Sequence, residues 1–155
     1  MLVYLAGPVD GVDIDAARGW RDVATAELLK LRPNIATFSP PHGISAGGAA
    51  IQDRPTCEQI MSINHAALEQ ADYVLANMVG PSVGTPMEIQ IAWEMATPVI
   101  GFADLARMQK SIYQHRFFYL AIDLTEALER LLCLFHEEED SGRLPERAAE
   151  RLARV

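Results

Sequence analysis

The chain has 155 residues, half of them hydrophobic, with 13 Lys and Arg set against 21 Asp and Glu for a formal net charge of −8. It is long enough to bury a core as one domain over 1–155, and its acidity excludes a nucleic-acid surface, which needs clustered Lys and Arg. No apolar run nears the roughly 20 residues of a membrane span, and Met1 leads directly into strand-like residues. Neither signal peptide nor anchor is expected, and the expected location is the cytoplasm.

Apolar strand-like runs alternate with helical patterns along the chain. Leu2–Ala6 reads as a short buried strand stopped by Gly7 and Pro8. From Asp15 to Leu31 the spacing of Ala17, Trp20, Val23, Ala24, Leu28 and Leu31 is helical, with Asp13 or Asp15 available as cap. Pro33 ends that helix, and Ile35–Phe38 reads as a second strand. A loop rich in Pro, Gly and Ala, from Ser39 to about Pro55, is long for a compact domain, which marks it as functional or mobile. A helix from about Thr56 to Gln70 precedes a strand at Tyr73–Asn77. Glu88–Ala96 is expected as helix, Pro98–Phe102 and Phe117–Ile122 as strands, Leu124–Phe135 as an amphipathic helix, and Arg143–Val155 as a short terminal helix. The run Glu137-Glu-Glu-Asp140 reads as a solvated helix end. Cys57 and Cys133 fall in helical patterns without metal-ligand spacing, as buried reduced thiols would.

Strands separated by helices predict a flavodoxin-like α/β fold: a five-stranded parallel sheet of order 2-1-3-4-5, helices on both faces. Ligands of such sheets bind outside the carboxyl ends of the strands, where the order switches. The loops Gly7–Val12 and Met78–Pro86 should therefore face each other across one crevice. In Gly80-Pro-Ser-Val-Gly-Thr-Pro-Met-Glu88 a strand runs through a Gly/Pro turn into a helix bearing an acid. Backbone N–H groups at such a helix start favour anions. Glu88 is expected in the first helical turn, as a dipole-capping acid or a nucleophile.

Tyr4-Leu-Ala-Gly7, Ala71-Asp72 at the start of the third strand and Ser82-Val-Gly-Thr-Pro-Met-Glu88 together resemble the nucleoside 2-deoxyribosyltransferase family. That family includes 2'-deoxynucleoside 5'-phosphate N-hydrolases and cytidylate hydrolases. The resemblance runs from Leu2 to about Phe102. It implies that Glu88 attacks C1' of a nucleotide sugar, as the carboxylate of a retaining glycosidase does, and that the Tyr4 hydroxyl orients it. A serine at position 82, where the transferases usually carry an aspartate for the sugar 5'-hydroxyl, implies a 5'-phosphate held by Ser82 and the Gly84 N–H. Gly7, Pro8, Asp10 and His42 complete the expected substrate contacts.

Two positions depart from the family. Asn64 stands where an aspartate usually contacts the base; it shares a stripe with Ile60, Ala67, Leu68 and Ala71, so it should face inward and bond a nucleobase edge. An amide cannot act as general acid, which leaves water or another group, with His65, Asp53 and His42 as candidates, to protonate the base. Asp10 lies where the nucleotide hydrolases carry a basic residue, and Arg18, Arg54, or His115 and Arg116 of a neighbouring subunit are candidate sources of positive charge. The implied reaction needs no metal or organic cofactor, and the four histidines and two cysteines show no zinc pattern. The implied partners are a nucleotide substrate and a second copy of the chain completing the site, with no nucleic acid and no membrane. A serine hydrolase, a NAD enzyme and an NTPase each lack their motifs.

Overall fold

The computed structural model describes residues 1–9, 12–40, 56–104 and 115–141. In chain order these form β1 (Leu2–Ala6), α1 (Ile14–Leu31), β2 (Ala36–Phe38), α2 (Cys57–Gln70), β3 (Tyr73–Asn77), α3 (Gly84–Glu94), β4 (Val99–Phe102), β5 (Tyr119–Ala121) and α4 (Leu124–Ser141). The strands make one parallel sheet of order β2-β1-β3-β4-β5, as predicted. Tyr4 pairs with Val74 and Ala6 with Ala76, so β1 and β3 end level with each other.

Alternation along the strands sends side chains to two separate cores. Val3, Leu5 and Ile100 pack with Ala24 and Leu28 of α1 and with Leu131 and Phe135 of α4. Tyr4, Ala6, Val74 and Ala76 pack with Leu68 of α2 and with Ile89 and Ala92 of α3. Each such fully buried Leu, Ile or Phe contributes about 1.5–3 kcal/mol relative to exposure. The helix starts are fixed locally. The Asp13 carboxylate caps α1, accepting from the N–H groups of Asp15 and Ala16. Thr56 and Gln59 form a reciprocal capping box at α2.

Three expectations require correction. Helix α3 begins at Gly84, four residues earlier than predicted, because Pro86 is tolerated in a first turn whose N–H groups lack intrahelical partners. Glu88 is therefore in the second turn, and the first turn contains no acid. Strand β5 is confined to Tyr119–Ala121, and Phe118 and Ile122 on either side are exposed. Cys133 is a free thiol but an exposed one, on the solvent side of α4. The loop 41–55, with His42, Asp53 and Arg54, lies outside the described residues, as do Asp10 and the tail expected as a helix from Arg143.

Candidate functional site

The loops after β1 and β3 meet at the carboxyl edge of the sheet. A Cβ built on Gly80 would touch the Pro8 ring at 3.5 Å, and one built on Gly7 would lie 2.6 Å from Trp20 Cζ2 and 3.1 Å from Asn77 Cβ. Only glycine fits at position 7, where the chain passes between α1 and β3. Pro8 is buried beside it. The two loops thus meet as predicted, with Gly7 and Pro8 on the β1 side.

Glu88 reaches this edge from α3. Tyr4 Oη donates a 2.7 Å hydrogen bond to Glu88 Oε1 across 84 residues of sequence. The tyrosine is fully buried and its ring stacks on Phe38, centroids 5.3 Å apart. Burial pushes the Glu88 carboxyl above the ordinary carboxylate range, while the Tyr4 bond and the charge of Arg21 act in the opposite sense. Burial, with the adjacent carboxylate, raises the Tyr4 phenol far above its usual range, so it remains a neutral donor. The pair is a positioned, poorly solvated carboxylate with Oε2 free of the tyrosine.

Ser82 lies one residue before the Val83 cap of α3. Its Oγ accepts from the Thr85 N–H at 3.1 Å and from the Thr85 hydroxyl at 2.9 Å. With both lone pairs engaged, the serine has only its own proton to offer, and it is a donor. Thr85 is occupied by Ser82 and Pro86 has no N–H, so among the described residues the donors left in the first turn are those of Val83 and Gly84. No atom lies within 4 Å of a Cβ placed on Gly84.

Helix α2 runs from the carboxyl edge of the sheet back to the start of β3, so Asn64 lies one turn nearer the crevice than Leu68. Its Oδ1 is buried without a hydrogen-bond partner. The oxygen faces inward, as expected, and among the described residues no donor meets it. His65, on the neighbouring face, is exposed and lies 3.4 Å from Glu69 Oε1.

The sequence reading missed Arg21. Its side chain is 2 % exposed and donates from Nε to the Leu5 carbonyl (3.3 Å), from Nη2 to the Gly7 carbonyl (2.8 Å), and from Nη1 to the carbonyls of Pro8 (3.5 Å) and Ala17. Burial lowers its pKa, and Glu88 and Tyr4 oppose that shift. The clue was a charge within the apolar stripe Ala17, Ala24, Leu28. Arg18, the expected cation of this helix, is instead exposed. Arg116 donates to Gln90 Oε1 at 3.1 Å and stacks over Trp93 at 4.7 Å. An open depression of about 650 Å³ at the opposite, amino edge of the sheet, bounded by Met1, Arg32, Asn34, Asp72 and His136, contains none of the expected site residues. Among the described residues no group of three or more His, Cys, Asp or Glu is placed to hold a metal, and no helix is long and apolar enough to cross a membrane.

No curated protein matches the chain. Its fold is similar to that of a conserved protein from Enterococcus faecalis V583 (17% identity, TM-score 0.55, covering 83% of this chain and 86% of that one). It is also similar to the CMP N-glycosidase BcmB from Clostridium botulinum (14%, 0.53, 84% and 98%). A third similar structure is the 2-deoxyribosyltransferase from Bacillus psychrosaccharolyticus (15%, 0.53, 83% and 90%). At such identities these likenesses speak for the fold alone. A model of the nucleoside 2-deoxyribosyltransferases, however, matches residues 3–143. By that match, which runs from β1 past the end of α4, the chain belongs to the nucleoside 2-deoxyribosyltransferase family of enzymes.

Proposed function

We propose that the protein is an N-glycosidase hydrolysing the base–sugar bond of (deoxy)ribonucleoside 5'-monophosphates, with Glu88 as nucleophile. The reading rests on one observation above all: the 2.7 Å bond from Tyr4 to Glu88 at the crevice. Tyr4 holds Oε1, which leaves Oε2 to attack C1'. As the new C–O bond forms, the C1'–N bond breaks and its electron pair leaves with the base. Water then attacks the glycosyl ester and returns Glu88 as a carboxylate. Asn64 Oδ1 accepts an N–H of the base, and solvent supplies the proton that the base takes up.

Hydrolysis of a monophosphate is favoured by Ser82. A hydroxyl already accepting twice can only donate, and phosphate offers only acceptors. The Gly84 N–H is the second donor. Residues 1–155 act as one domain, and a homodimer completes the crevice, in keeping with the exposed Val83, Met87 and Trp93 on or beside α3.

The test is a panel of nucleosides and 5'-nucleotides, with free base followed by chromatography for wild type and Glu88→Ala. Release from monophosphates that disappears in the variant supports the proposal. Release only when an acceptor base is added identifies a base-exchanging transferase, and nucleotide binding without Glu88-dependent release sinks both.

A further inference from the structure

Arg21 is the buried ionised side chain for which the chemistry above has no use. Moving a guanidinium out of water is costly unless its donors and charge are answered. The donors are answered by carbonyls of Leu5, Gly7, Pro8 and Ala17, three of which belong to the strand end and loop that form one wall of the crevice. No carboxylate touches it among the described residues; its charge is felt by Glu88 and Tyr4. The planar fork matters here, because a single ammonium could not reach carbonyls on both the loop and α1.

The clamp has a consequence for the loop. A trans peptide unit points its C=O and N–H in opposite directions. With the Pro8 carbonyl drawn to the guanidinium, the Val9 N–H must point away from α1.

We propose that Arg21 is a positioning residue of this site: it draws the β1–α1 loop carbonyls inward, turns the Val9 N–H towards the crevice, and supplies positive charge to Glu88 and an anionic 5'-phosphate. The inference rests on the glycosidase reading and answers what that reading leaves open, the source of positive charge beside a phosphate. Of the charged or titratable groups described, Tyr4 bonds Glu88 from β1, and the charge of Arg21 on α1 favours its ionised form.

Two variants separate the clamp from the charge. Arg21→Lys keeps the charge and loses the fork, and Arg21→Gln keeps an amide donor and loses the charge. Each is measured for KM and kcat on a nucleoside 5'-monophosphate and on the matching nucleoside, across pH, after a thermal melt confirms folding. Arg21→Lys should raise KM for the monophosphate about 5-fold or more and leave the acid limb of kcat/KM in place. Arg21→Gln should move that limb about half a pH unit or more upward and weaken the monophosphate more than the nucleoside. A folded Arg21→Gln with the wild-type limb and wild-type KM overturns the proposal. Should Arg21→Gln not fold, an unchanged KM in Arg21→Lys overturns it. If wild type releases no base, the glycosidase reading fails separately, and Arg21 is judged without turnover. Glu88 titration followed by carbon NMR and the rise in Tm with added monophosphate must then both change in the variant.

Discussion

Tyr4→Phe isolates the contact on which the proposed chemistry depends. The ring is fully buried and stacked on Phe38, so phenylalanine keeps the packing and removes one hydroxyl. What is lost is a 2.7 Å hydrogen bond to a buried carboxylate. Bonds to charged groups contribute about 1.5–3 kcal/mol, which converts to a fall in kcat of about 10- to 150-fold. KM should change little, because the hydroxyl acts on the nucleophile and not on the substrate. The pH dependence has a definite sign. The Tyr4 bond favours ionised Glu88 against the burial that opposes it, so removing it raises the carboxyl pKa further. The nucleophile is then ionised only at higher pH, and the acid limb of kcat/KM moves upward. Tyr4 remains neutral throughout, so no basic limb disappears with it. Steady-state base release from pH 4 to 9 measures both effects. A variant with wild-type kcat and an unmoved limb would refute the claim that Tyr4 positions Glu88.

Glu88→Gln should abolish base release and stabilise the protein. A carboxyl whose folded pKa is raised contributes stability that is complete at low pH and lost as pH rises through the folded value. The variant should therefore melt about 2–4 °C higher at neutral pH, the shift that ~1 kcal/mol produces in a chain of this size, with the gain vanishing in acid. Ser82→Ala should raise KM for monophosphates about 5- to 10-fold while sparing nucleosides; equal losses on both would remove the phosphate role. Gly7→Ala places a methyl 2.6 Å from Trp20 Cζ2 and should cost about 1–3 kcal/mol. A melting point within a degree of wild type would show that α1 yields there freely.

The sheet order was legible because strand and helix periodicities alternate and parallel crossovers leave few topologies. The pairing of Tyr4 with Glu88 followed from placing both at the switch point, although the resemblance, not the spacing, named the tyrosine. The start of α3 was misjudged because Gly84-Thr-Pro86 reads locally as loop. The Ser82 hydroxyl and the permissive first turn reverse that, and they place Glu88 a turn deeper in the helix. Cys133 reads as core by residue type, yet it sits on the exposed side of α4 beside the buried Leu134 and Phe135. Arg21 escaped because periodicity weights apolar positions and passes over a charge on the same stripe. Its partners are backbone carbonyls, which carry no side-chain signature in sequence.

The bare oxygen of Asn64 has a thermodynamic meaning for the empty protein. Among the described residues no donor meets this buried acceptor, and leaving such a group unpaired costs a fold about 1–3 kcal/mol. An N–H arriving there need not strip a hydration shell from the amide, so its bond forms against a dehydration completed when the chain folded. A ligand that brought a second lone pair to the same point would meet repulsion there. In the proposed reading the position sorts bases by the direction of a single hydrogen bond, since among the described residues nothing competes for that oxygen.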